Sequence, residues 1–305
     1  MNCTYSVDEL QERITREIID EQNQEMAKLI ARKRREAATA EENYRQGIKA
    51  IEEAGLKVGH LDTLERELTA RAEKELEVIK AQMDAESQER LPAAAQIEVE
   101  GTFLPQGAQL IRPTWVAAFA DDDVQDKLTE AAAITSQTLL TGGSCKNYHN
   151  WAKGAGSGLF GTGVGEIQSW VHFGFWFKPP TTRFYSIQPL FRFRGYVIVK
   201  ADDGFFTSKA ARVRGIARTN VHQYNWKGWN SVTVYQDSGS NINLNTRKDI
   251  DRYTYNSYLL GGGDWAWISC VIGLYAYARG GGSYAENNFS TGNANYLCVP
   301  HCYVF

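Results

Sequence analysis

Histidine and cysteine are the residue types here best suited to act as nucleophile, base or metal ligand, and the chain has five of each in 305 residues. The histidines are His60, His149, His172, His222 and His301, and no two stand four apart as a helical zinc pair would. Cys145 and His149 would make a nucleophile and its base if folding brought imidazole to thiol. Cys298, His301 and Cys302 approach a metal motif, but on a strand His301 points away from the two thiols and no second ligand cluster follows. Asp121, Asp122 and Asp123 are adjacent, whereas a calcium loop needs alternating ligands, and Asp123 reads better as the cap of a short helix. Gly156-x-Gly158-x-x-Gly161 has the form of a dinucleotide fingerprint without the preceding strand and following helix that would hold a phosphate. The expectation is no catalytic residue, no metal ligand and no cofactor.

The aromatic residues point to binding. QYNWKGWN (223–230) and GGGDWAW (261–267) set Trp226, Trp229, Trp265 and Trp267 beside amide and carboxylate side chains. Indole faces with polar neighbours suit sugar rings, which offer apolar faces and hydroxyl edges. These four are the expected ligand residues, with burial in a sandwich core as the competing role. Arg192, Arg194, Arg212 and Arg214 suggest a basic stripe across neighbouring strands, a mixture that single-stranded nucleic-acid readers use. The surrounding charge excess is modest, so no nucleic-acid partner is expected.

These groups need elements to hold them. Ser6-Val7-Asp8-Glu9 is a capping box, with Tyr5 and Leu10 placed for a hydrophobic staple, so a helix starts there. It runs to Ala54-Gly55, where glycine can close it. A second helix is expected from Asp62 to about Arg90, before Pro92. Apolar residues recur at eleven-residue spacing, as in Ile18, Leu29, Ala40 and Ile51, or Leu61, Ala72 and Met83, which gives a straight seam near the natural helix period. If the helices form an antiparallel hairpin, Leu10, Ile14, Ile18, Ile19 and Met26 lack a partner. Another subunit, or the chain after residue 92, should cover them. RKRR (32–35) reads as a solvated face among nearby acids.

From Ile167 the pattern turns to period two, with runs such as RFYSIQPLFRFRGYVIVKA and WAWISCVIGLYAYA separated by turn clusters. Roughly eight to ten strands without intervening helices indicate an antiparallel sheet protein. SWVHFGFWF (169–177) is bulky on both faces, so one face is expected in the core and the other in an interface between copies, with a ligand platform second and membrane insertion third. The fold class is segregated α+β: a long helical hairpin or coiled-coil-like arm (1–91), a connector with a short helix and Gly-rich loop (92–165), and a jelly-roll-like β-sandwich (166–305).

Net charge is −3, but residues 1–100 hold 15 basic and 23 acidic side chains and 101–305 hold 18 and 13, so −8 is joined to +5. The cysteines form no evident disulfide framework, and no secretory signal or membrane-spanning run is visible. The expectation is a soluble protein made in the cytoplasm, released by lysis or a dedicated machine if it acts outside. The function read from these features is non-enzymatic self-assembly, with a head that takes a glycan or receptor. The interface between copies is expected at Leu10, Ile14, Ile18, Met26, Phe173, Phe175 and Trp176. The alternative is a membrane-active toxin inserting its helices or the Gly-rich loop, whose stretch GLFGTGVGEIQSWV resembles membrane-fusion peptides in its small and aromatic residues. An enzyme with a dispersed site is third.

Overall fold

The capping box forms as its residue types require: the Glu9 amide donates to the Ser6 hydroxyl at 3.2 Å and the Glu9 carboxylate accepts from the Ser6 amide at 2.9 Å. Helix α1 (Val7–Glu53) follows, and Gly55, at φ 75°, ends it in the left-handed conformation that glycine adopts without strain. Helix α2 (Val58–Glu89) begins one turn before the expected Asp62, which stands inside the helix and accepts from Arg66 at 2.8 Å. The computed structural model describes residues 6–90, 107–120, 138–140, 144–154, 163–202 and 209–305. Cys3, Tyr5, Pro92, Asp121 to Asp123 with the short helix expected after them, and Gly156, Gly158 and Gly161 lie outside the described residues.

The described strands are β1 (Gln109–Ile111), β2 (Trp115–Ala120), β3 (Thr138–Leu140), β4 (Cys145–Lys146), β5 (Tyr148–Lys153), β6 (Val164–Phe177), β7 (Arg183–Arg194), β8 (Tyr196–Ala201), β9 (Ala210–Gln223), β10 (Asn225–Trp226), β11 (Asn230–Gly239), β12 (Ile242–Arg247), β13 (Ile250–Tyr253), β14 (Asn256–Leu260), β15 (Ala266–Arg279), β16 (Tyr284–Phe289), β17 (Tyr296–Cys298) and β18 (Cys302–Val304). Their pairings are antiparallel and make three sheets. One is built on β7 in the order β1-β18-β7-β17-β4, with β13 and β14 also on β7. The second runs β10-β9-β15-β6-β2-β3, and the third β12-β8-β16-β5. The layout is α+β, two long helices followed by a sandwich-like array of antiparallel sheets. Strands β1, β2, β4 and β5 fall within the segment expected to be a connector, yet they pair inside these sheets, so the sheet assembly takes in chain well before residue 166.

One large core lies between the sheets. Val171, Phe173, Phe175 and Phe177 of β6 enter it from one side, and Tyr185, Ile187, Phe191 and Phe193 of β7 from another. The opposite face of β6 carries Trp170, His172 and Trp176, and of the two covers expected for the helical row, another subunit or the chain after residue 92, the structure shows the second. Ile14, Ile18, Met26 and Leu29 of α1 pack with Trp115, Phe119, Trp170, Trp267 and Val271, while Leu10 and Trp176 border the same cluster. The chain's own sheet therefore covers the helical row, and Phe173 and Phe175 are fully enclosed in the sandwich. Gly174 makes this packing possible, since a Cβ there would overlap the Trp267 ring.

Helix α2 lies on the third sheet, where Leu76, Met83 and Ile79 meet Tyr196, Ile198 and Tyr284. Its buried row holds the expected Ala72 and Met83 but also includes Glu65, Thr69 and Ser87, while Leu64 is exposed. The reason is polar partners on the sheet side: Lys209 pairs with Glu65 at 2.8 Å with both side chains buried, and the Asn295 amide donates to the Ser87 hydroxyl at 3.2 Å. The two helices thus seat on different sheets and touch each other little. No described helix is long and apolar enough to cross a membrane.

Candidate ligand-binding face

The two Trp-bearing loops do come together, at the end of the second sheet. The Gln223 side-chain amide donates to the Gly261 and Asp264 carbonyls at 3.0 and 3.2 Å and accepts from the Gly261 amide at 2.7 Å, tying one loop to the other. Tyr224 donates its hydroxyl to the Asp264 carboxylate, and that hydrogen bond, with some burial, raises the phenol above its ordinary range. Tyr224 also holds φ at 67°, a conformation unfavourable for a bulky side chain that persists where the surroundings over-determine it. The result is a fixed corner on which Tyr224 is 68% and Trp265 40% exposed. Trp176 braces Trp265 edge-on at 6.1 Å, and the Lys178 ammonium stands 5.7 Å from its ring centre.

The other three tryptophans of the two loops serve α1, as does Trp176 of β6. Trp267 is wholly buried. Trp226 and Trp229 stack 6.2 Å apart, and their indole N–H groups donate to Glu17 and Glu21 of α1, each at 2.9 Å. Trp176 does likewise to Gln11 at 3.2 Å. Burial pushes the Glu21 carboxyl up, and the Trp229 hydrogen bond partly opposes it. Of the four tryptophans expected to meet a ligand, Trp265 alone presents an exposed ring, and Tyr224 and Asp264 complete the corner. The signal for the helix acceptors was present: Gln11, Glu17 and Glu21 flank the apolar row, and half-buried indoles need acceptors. What the sequence lacked was which polar residues the row would bring against which rings.

The candidate chemistry resolves otherwise. Cys145 and Cys298 form a disulfide between β4 and β17, with Cα atoms 4.1 Å apart, which removes Cys145 as a nucleophile and Cys298 as a metal ligand. One bridge is thus present where the sequence showed no evident disulfide framework. His149 faces Glu286 at 3.0 Å. Burial pushes the Glu286 carboxyl up, but hydrogen bonds from His149, Tyr284 and Asn288 outweigh it and hold the group below its ordinary value. The second carboxylate nearby, Asp84 of α2, accepts from Tyr196 at 2.7 Å, so the cluster fastens α2 to the sheet. Among the described residues, no three His, Cys, Asp or Glu side chains are placed to hold a metal ion. Arg192 and Arg194 pair with Asp251 on the first sheet, whereas Arg212 and Arg214 lie on β9 of the second, so the four arginines form no stripe.

No family model matches the chain. No curated protein matches it either. Among solved structures it is similar to TmCBM61 in complex with beta-1,4-galactotriose at 9% identity, over 47% of this chain and 69% of that one, with a TM-score of 0.15. So loose an overlap supports no argument about this chain.

Proposed function

We propose that this is a non-enzymatic binding protein whose sandwich presents Trp265 and Tyr224 to a glycan, with the two helices bracing the sheets from outside. The observation that carries the reading is the fixed corner: two exposed rings held around Asp264 by the Gln223 amide and the Tyr224 hydroxyl. Flat apolar rings beside an immobilised carboxylate match the apolar face and hydroxyl edge of a pyranose. Self-association loses its original motive, because the α1 row is sheltered within one chain.

The test is titration of tryptophan fluorescence with a panel of neutral oligosaccharides. At least one should bind saturably, and Trp265→Ala should remove the response while leaving the melting temperature unchanged. If every sugar leaves the spectrum unaltered, or the variant binds as tightly as the parent, the proposal is wrong.

A further inference from the structure

We infer that a separate cleft between α1 and the second sheet binds a small ligand carrying an oxyanion, a phosphate, sulfate or carboxylate on a compact apolar body. The cleft has a volume of about 390 Å³. That is within the range of small-molecule sites and too small for a polymer. Lys28 and Arg32 reach it from α1, Arg214 and Arg218 from β9, and among its lining residues only Glu25 is acidic. Trp170 and Ile216 supply apolar walls.

The internal ion pairs leave part of this charge unanswered. Arg218 pairs with Glu25 at 3.5 Å, and Arg32 pairs with Glu166, which also accepts from the Tyr275 hydroxyl at 2.6 Å. Among the described residues no carboxylate pairs with Lys28 or Arg214. The Arg214 guanidinium lies 5.4 Å from the Tyr275 ring centre, and its Nε is shielded from solvent with no hydrogen-bond partner. A guanidinium with no carboxylate partner, beside a lysine that also has none among the described residues, is matched by a planar or tetrahedral oxyanion, which accepts several charge-assisted hydrogen bonds at once. A nucleic-acid strand fits poorly, because the helix forming one wall belongs to the −8 half of the chain. This site shares no residue with the Trp265 corner, so either proposal can fail alone.

Because the cations come from two elements, an occupant would join α1 to the sheet and stabilise that docking in proportion to its occupancy. The full chain is melted, and its α1 amides followed by hydrogen exchange, in sodium phosphate, sodium sulfate and sodium glucuronate against sodium chloride of equal ionic strength. Two variants are run beside it. Arg214→Gln removes the guanidinium charge, and Gly273→Val fills the cleft without altering charge, since the nearest atoms to a Cβ at Gly273 are 3.7 Å away. At least one oxyanion should raise the melting temperature and slow exchange around Met26 to Arg32, and each variant should weaken the effect at least tenfold in anion concentration. The arm with the largest shift identifies the oxyanion. Sulfate stabilises many proteins by exclusion, so its effect counts only if the variants lose it. Equal shifts in chloride and all three oxyanions, or equal responses from parent and variants, overturn the inference. Should Arg214→Gln fail to fold, Gly273→Val decides.

Discussion

His172 sits edge-on to Trp115 and Phe119, with ring centres 6.5 and 5.1 Å away, and neither of its nitrogens has a hydrogen-bond partner. Burial, helped by the Arg218 charge, pulls its pKa down from 6.5 to about 3. The folded chain therefore keeps this imidazole neutral where the unfolded chain would protonate it. The unfolded state binds more protons between pH 6.5 and 3, so stability is full above pH 6.5 and falls as pH drops through that window. His172 should cost about 2 kcal/mol between pH 7 and pH 5. Urea unfolding at the two pH values should show that loss in the parent, and His172→Leu should remove this share. Equal pH slopes in both proteins would refute the assignment. His222 acts in the same direction, since burial also lowers its pKa.

For helix α1 the question is what covers its apolar row. Ile14 and Ile18 are buried in a cluster made by one chain, and the Trp176, Trp226 and Trp229 indoles fix the helix register by donating to Gln11, Glu17 and Glu21. Ile18→Ala should cost about 2–5 kcal/mol, as methyl-group deletion from a packed core does. The urea midpoints of parent and variant should also be independent of protein concentration, because a contact within one chain carries no mass-action term. A midpoint that rises with concentration would return the row to an interface between copies. Eleven-residue spacing made this helix and its apolar face readable. The covering surface was not readable, because β2, β6 and β15 assemble that face from three separated segments.

At the scale of the whole molecule, the Cys145–Cys298 bridge closes a covalent loop with a sequence separation of 153. On the chain-entropy account a loop of that size contributes about 5 kcal/mol by restricting the unfolded state. Paired Cys145→Ala and Cys298→Ala substitutions should lower the melting temperature clearly, and reductant should shift the parent but leave the double variant unmoved. An unshifted parent in reductant would show that the bridge contributes nothing. The pairing was hidden from the sequence because β4 and β17 meet only through the sheet register that aligns Cys145 with Cys298. The same holds for Gln223 and Asp264, joined at one corner of the fold.

Local chemistry was enough to determine the two helices, the alternation of Val171, Phe173, Phe175 and Phe177, and the aromatic character of the loops. Capping, helical periodicity and strand pleat act over a few residues and leave their marks in consecutive letters. Only the tertiary structure decided which surface covers α1, which of the four loop tryptophans keeps an exposed ring, which cysteines pair and where the cations without carboxylate partners gather. Each of those outcomes depends on residues far apart in the chain arriving at one place, and no short-range pattern records where a distant strand will lie.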